Sequence, residues 1–171
     1  MKKTLLAFGL SLLLAAAAGA QTEPQVSVNV LDYGVYAAVT AKPNAATATN
    51  GTTQDLLENI RLIAQTRTVV VGNAAGKNSV EFGFHYAVVG SPKGTKVSLR
   101  EVVRFPEPGV VRDGKHVLWD ELVDEKEIGS SDYTGWGFDG KTDPDVLPGD
   151  WTIELWYGNQ KLASQIFTVV K

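Results

Sequence analysis

The chain has 171 residues, 44% of them hydrophobic and 20% charged, with a formal net charge of −3 and no cysteine. This is the composition of an ordinary folded domain, and it excludes disulfides, thiol catalysis, thiolate metal sites and lipid attachment through an N-terminal cysteine. An acidic chain is repelled by phosphate backbones and anionic lipid, so neither nucleic acid nor a membrane surface is an expected partner.

Residues 1–20 have the layout of a secretory signal peptide. Lys2 and Lys3 precede an apolar run from Leu5 to Ala18, and Ala18-Gly19-Ala20 places small residues where a peptidase needs them. Cleavage is expected between Ala20 and Gln21, giving a periplasmic or secreted protein. The run of 14 residues falls short of the ~20 that a spanning helix requires, so stable membrane insertion is not expected. Without Lys2 and Lys3 the chain keeps 14 basic against 19 acidic residues, a net charge of −5. Met1 is the only methionine, so the mature chain lacks the soft sulfur ligands of a copper(I) carrier. Residues 21–171 are read as one domain, long enough to stand without disulfides.

Beyond residue 25 the apolar segments are short, β-branched or aromatic, and bounded by Gly, Pro, Asn or Asp, which is the pattern of strands. Val26–Val39 is a first extended segment, with Gly34 marking a bulge or a close approach. Residues 41–53, rich in Ala, Thr and Asn, read as a flexible connection. Residues 54–64 are ambiguous. Leu56, Leu57, Ile60, Ile63 and Ala64 have helical spacing, whereas the β-branched content favours a strand over Asn59–Thr68. Val80–Val89 is the clearest inner strand, with Val80, Phe82, Phe84, Tyr86 and Val88 on one face. Lys96–Phe105 alternates again, with Val97, Leu99, Val103 and Phe105 on one side; Glu101 falls on that apolar side and suggests a bulge between Glu101 and Val102. A weaker strand over His116–Val123 runs into the charged stretch Asp124–Glu127, and Asp120–Glu127, with five acids and one lysine in eight residues, reads as an edge that deters aggregation. Tyr133–Phe138 is a short strand whose Gly135 and Gly137 leave bare backbone for a close neighbour. The chain closes with a hairpin of Trp151–Tyr157 and Lys161–Val170 around Gly158-Asn159. Seven to eight such strands predict an all-β, antiparallel, immunoglobulin-like β-sandwich without a disulfide.

Catalytic signals are weak. His85 lies between Phe84 and Tyr86, where a hydrogen-bonded histidine near the core is expected, and His116 reads as a turn neighbour. No Gly-x-Ser-x-Gly elbow and no His-Glu-x-x-His helix occurs. A hydrolase reading would use His85 with a nearby acid such as Glu101. Asp139, Asp143 and Asp145 lie on a glycine-containing loop that could hold calcium, although their spacing is not that of an EF-hand. The aromatic residues offer a binding reading. Trp151 shares a face with Ile153 and Leu155 and belongs to the core, whereas Trp156 shares one with Thr152 and Glu154. Trp156 with Glu154, and also Tyr133, form the candidate binding set.

Several ordered motifs accompany these features: Asp32-Tyr-Gly-Val-Tyr36, Phe82-Gly-Phe-His-Tyr86, Gly90-Ser-Pro-Lys-Gly94, Arg104-Phe-Pro106, Tyr133-Thr-Gly-Trp-Gly-Phe-Asp139 and Leu147-Pro-Gly-Asp-Trp151, with Phe167 near the end. In this order, across most of residues 32–170, they resemble the bacterial domain-of-unknown-function family 3859. The resemblance implies an exported β-sandwich and supplies no activity, cofactor or catalytic residue. The expected function is that of a non-enzymatic interaction module of the bacterial cell envelope, needing no cofactor and binding a protein or glycan of unknown identity.

Overall fold

The computed structural model describes residues 23–37, 40–47, 53–58, 60–71, 80–138 and 143–171; residues 1–20 and the expected cleavage point lie outside them. All regular structure among the described residues is β. In chain order the strands are β1 (Gln25–Ala37), β2 (Thr40–Thr47), β3 (Thr53–Glu58), β4 (Arg61–Ala64), β5 (Thr68–Val70), β6 (Val80–Ser91), β7 (Lys96–Arg104), β8 (Val110–Arg112), β9 (Lys115–Val117), β10 (Trp119–Glu127), β11 (Ser131–Phe138), β12 (Gly149–Tyr157) and β13 (Gln160–Val170). One main sheet has the order β11-β6-β1-β4 and the other β10-β7-β12-β13-β5. β2–β3 and β8–β9 form separate two-stranded hairpins. Among the described residues every pairing is antiparallel except that of β5 with β13. The expected immunoglobulin-like β-sandwich is therefore the fold.

The two-residue period explains how the sheets meet. Phe82, Phe84, Tyr86 and Val88 of β6 turn inward against Val97, Leu99 and Val103 of β7, Trp151, Ile153 and Leu155 of β12, and Phe167 and Val169 of β13. Aromatic rings join the layers mostly edge to face. Phe82 meets Trp151 at 5.9 Å between centroids and Phe167 at 5.4 Å, and Trp151 also meets Phe105 at 5.0 Å. Trp151 is fully buried, and its indole N–H donates to the Leu147 carbonyl at 2.9 Å, so this core tryptophan leaves no donor stranded.

Several local expectations are corrected. The supposed flexible connection at 41–53 contains most of β2, which pairs with β3 as a hairpin. The helical alternative for 54–64 gives way to strands β3 and β4. The single strand expected over 59–68 breaks at Gln65–Arg67: β4 pairs with β1, and the chain then crosses to place β5 beside β13. That break is one reason the two main sheets hold more strands than the seven or eight expected.

No bulge lies at Glu101, because β7 runs in unbroken register with β10 and β12 through Glu101↔Leu122 and Glu101↔Leu155. Its carboxylate faces the interior, and Val102 is buried on the opposite side. The bulge in β1 is at Leu31, between Val30↔Tyr86 and Asp32↔His85, not at Gly34. Gly34 is instead a close approach: a Cβ there would stand 2.0 Å from the Ala64 carbonyl oxygen.

Candidate functional site

The outer face of the five-stranded sheet carries two of the three predicted binding residues together. Glu154 on β12 is 3% exposed, yet it is the hub of a polar cluster. Lys161 Nζ lies 2.5 Å from Oε1, while Arg104 Nε at 3.3 Å and the Trp156 indole N–H at 3.0 Å both reach Oε2. Burial pushes the Glu154 carboxyl up, but the hydrogen bonds from Lys161 and Trp156, with Arg104 nearby, hold it below the ordinary value. The register puts Arg100 opposite Trp156, and the cations of Arg100 and Lys161 lie 5.2 Å and 5.1 Å from the indole ring. Arg100 is in turn held by Glu121 at 3.2 Å. Trp156 is thus a partly exposed ring whose position is fixed by charge on several sides. Exposed Trp119 and Val123 of β10 and Ile166 of β13 lie on the same face.

Tyr133 does not join this cluster. It lies on the outer face of the other sheet, where β1, β6 and β11 bring a second set of residues together. The bulge at Leu31 turns Asp32 outward, opposite His85, and the alternation then sends Gly34 and Tyr36 to the same side. The Asp32 carboxylate accepts from the Tyr36 hydroxyl at 2.6 Å and from His85 Nδ1 at 2.7 Å. An ionised carboxylate only accepts, so the Nδ1 proton of His85 is fixed by this contact. Burial raises the Asp32 pKa, but the bonds from Tyr36 and His85 outweigh it and hold the group below its ordinary value. The rings of Tyr36, His85 and Tyr133 pack against one another at 5.0–5.3 Å. Tyr133 folds along its own strand: its hydroxyl oxygen would stand 2.1 Å from a Cβ on Gly135 and 2.8 Å from one on Gly83. Gly137 is likewise overlain by the Glu81 carboxylate. Neighbouring side chains, rather than a ligand, occupy the bare backbone. Beside this cluster is an open depression of ≈ 310 Å³, lined by Asp32, His85, Ser131 and Tyr133 with the apolar Leu31 and Ile60.

The His85–Glu101 pair imagined for a hydrolase is not formed. His85 faces outward, whereas Glu101 points between the sheets, accepting from Thr134 Oγ1 at 3.0 Å and from the Tyr86 hydroxyl at 3.5 Å. Burial drives the Glu101 carboxyl up to about 7, although Lys126 and Thr134 pull it down. Lys126 itself bonds Asp124 at 2.6 Å and Asp132, tying the ends of β10 and β11 together. His85 does have a carboxylate partner, Asp32, but among the described residues no serine or threonine hydroxyl hydrogen-bonds to it. His116 is on the β8–β9 hairpin, with Nδ1 3.3 Å from the Gly109 carbonyl.

Of the calcium candidates, Asp139 lies outside the described residues. Asp145 is gripped at both carboxylate oxygens by the Arg112 guanidinium, at 2.7 and 2.5 Å. Asp143 Oδ1 accepts the Asp145 backbone N–H at 2.8 Å, which is turn chemistry. The described residues contain no group of three or more His, Cys, Asp or Glu side chains arranged to hold a metal ion.

Sequence reading missed Asp32, Tyr36, Arg100, Arg104 and Lys161 as members of these clusters. The signal for the cations was available, since Arg100 and Arg104 are on the polar side of their strand. The Asp32–His85 pairing had none, because it depends on the extra residue at Leu31.

No family profile matches the chain, and no curated protein matches its sequence. Among solved structures it is similar to an immunoglobulin-like protein from Pseudomonas aeruginosa, with 22% identity and a TM-score of 0.55, covering 89% of this chain and 100% of that one. Identity at that level speaks to fold and leaves function to be argued from the site.

Proposed function

We propose that this protein is an exported, non-enzymatic β-sandwich that acts as an interaction module in the bacterial cell envelope. The observation that carries the reading is the outer face of the five-stranded sheet. There Trp156 is held between Arg100 and Lys161 over Glu154, and is flanked by exposed Trp119, Val123 and Ile166. A pre-positioned aromatic ring with cations around it loses little freedom on binding, which is the property of an interface anchor. The signal-like residues 1–20, the acidic balance and the resemblance to the exported family of unknown function support the location. The partner is a protein or glycan of the envelope, and no cofactor is called for.

The test is a pull-down of residues 21–171 against envelope extract at two salt concentrations, repeated with Trp156→Ala. A specific partner whose capture weakens at least about tenfold in the variant is expected, because central aromatic anchors cost about 2 kcal/mol or more. A genuine partner captured equally by a folded Trp156→Ala protein would overturn the anchor. Recovery of the full chain from the cytoplasm with residues 1–20 intact would overturn the location.

A further inference from the structure

The register lays out the Trp156 face as a grid. On the outer side of the five-stranded sheet, Trp156 of β12 stands opposite Arg100 of β7, and Trp119 of β10 stands opposite Arg104, four residues further along β7. Two tryptophan–arginine pairs therefore share one face, with the tryptophan Cα atoms about 16 Å apart by strand rise and spacing. Between them the face is closed, since Val102 and Glu154 are each 3% exposed. The cations stand above the carboxylates: the side chains of Arg100, Lys161 and Arg104 are 36%, 43% and 51% exposed, against 20% for Glu121 and 3% for Glu154. Three cations thus meet two carboxylates, and donors are left over. Arg104 engages Glu154 through Nε alone, and Arg100 engages Glu121 through Nη1 alone. Among the described residues, both terminal nitrogens of Arg104 and the Nε and Nη2 of Arg100 have no hydrogen-bond partner.

An exposed guanidinium with its terminal nitrogens open matches a carboxylate at two points, so the complement of this patch is an anion. Beyond Val123 the same face turns acidic at Glu125, which Lys96 meets at 3.5 Å, and at exposed Glu127. An anionic chain is thereby confined to the stretch between Trp156 and Trp119. A second copy would bring the same cations to this face, which like-charge repulsion disfavours. A protein partner would need an apolar centre with charge at the rim, whereas the centre here holds a buried carboxylate and the rings stand on either side of it. A uronic acid residue suits each pair, because the apolar C–H face of its ring can lie on the indole while its carboxylate reaches the arginine opposite. We propose that this face takes an acidic glycan, a chain of uronic acid residues running from Trp156 to Trp119 with its carboxylates held by Arg100 and Arg104. This partner class rests on the Trp156 reading above.

Nuclear magnetic resonance of the full chain, titrated with a galacturonate oligomer of about six residues, reads the two indole N–H groups directly. At about 25 mM salt the Trp119 and Trp156 resonances are expected to shift with a dissociation constant of about 1 mM or tighter, weakening about tenfold at about 300 mM salt. Arg104→Lys keeps a cation for Glu154 but loses the fork, and Trp119→Ala changes an exposed residue. Each should weaken binding about fivefold or more, with cooperative urea unfolding showing that both variants fold. The glycan is overturned if millimolar oligomer shifts neither indole, or if the fully methyl-esterified oligomer, which keeps the rings and lacks the charge, binds equally. Equal binding by a six-residue glutamate peptide would overturn it in favour of an acidic protein segment. A protein captured through Trp156, with no galacturonate binding, would overturn the glycan and leave the Trp156 anchor standing. Galacturonate binding unchanged by Trp156→Ala would overturn both.

Discussion

Glu101→Gln is the perturbation whose outcome the structure fixes most closely. The carboxyl sits on the inward side of β7, with Thr134 and Tyr86 as neutral hydrogen-bond partners. Burial dominates its environment and lifts its pKa from 4.5 to about 7. A carboxyl whose pKa is raised on folding binds its proton more tightly in the native state. Its contribution to stability is therefore fully present below pH 4.5 and falls as pH rises toward 7. At about 1.4 kcal/mol per unit, the loss amounts to about 3 kcal/mol across that window. Glutamine keeps an acceptor for the Thr134 hydroxyl and has no charge to bury. Urea unfolding of both proteins from pH 4 to 8 isolates the effect, since every other titrating group is common to the two. The variant should match the wild type near pH 4 and exceed it above pH 7, with the gap widening in between. Parallel stability profiles across the whole range would show that Glu101 is solvated in the folded protein and would refute the reasoning.

Glu154→Gln should behave in the opposite sense. The Glu154 pKa is held below its ordinary value of 4.5, so its contribution is present above that pH and is lost as pH falls through the folded-state value. The variant should be about 1–3 kcal/mol less stable at pH 7, for a buried charged acceptor lost to two cations and an indole, and should converge with the wild type in acid; a constant gap down to pH 2 would sink the argument. Gly83→Ala tests the β6–β11 contact, because the new Cβ would stand 2.1 Å from the Thr134 carbonyl oxygen. It should lower stability by about 2 kcal/mol or more, and an unchanged urea midpoint would mean the two strands lie further apart. Because Arg112 occupies both oxygens of Asp145, millimolar calcium and chelator should give the same melting temperature; a rise of several degrees in calcium would show a bound ion.

Much of the fold was legible because the strongest segments obey one rule. Phe82, Phe84 and Tyr86, or Trp151, Ile153 and Leu155, can face a core together only as strands. The failures came where that rule has two readings. Glu101 between Leu99 and Val103 looked like a slip in register, because an acid inside a sandwich is costly and a bulge would remove it. The chain instead keeps the register, placing Thr134, Tyr86 and the nearby Lys126 around the acid and filling the opposite face with Val102. The run 59–68 looked like one strand because nothing in its composition marks Gln65–Arg67 as a corner. Only the need to close a second sheet beside β13 breaks it there.

The two outer faces differ in legibility for a related reason. Trp156 and Glu154 are two residues apart on one strand, so the period alone places them on one face, and Arg100 and Arg104 follow from the same period on the neighbouring strand. The Asp32 cluster needs a change of period. Continuing the alternation of Val26, Val28 and Val30 would send Asp32 inward; the extra residue at Leu31 turns it outward to His85, and Tyr36 with it. Bulges of this kind carry no glycine signature when the inserted residue is an ordinary one. The consequence is physical as well as predictive: if the register of Val28↔Val88 and Val30↔Tyr86 ran on without the bulge, an acid with no basic partner would enter the core opposite Phe84. The pairing with His85 and Tyr36 is therefore first a solution to folding, and any binding role for the depression beside it is built on a contact the sheet already requires. The Trp156 face is less constrained, since the fold draws on this ring only for the indole N–H that reaches Glu154, and Lys161 and Arg104 hold the same carboxylate. A large aromatic ring kept there, in contact with two cations, is the stronger sign of a surface shaped for something outside the chain.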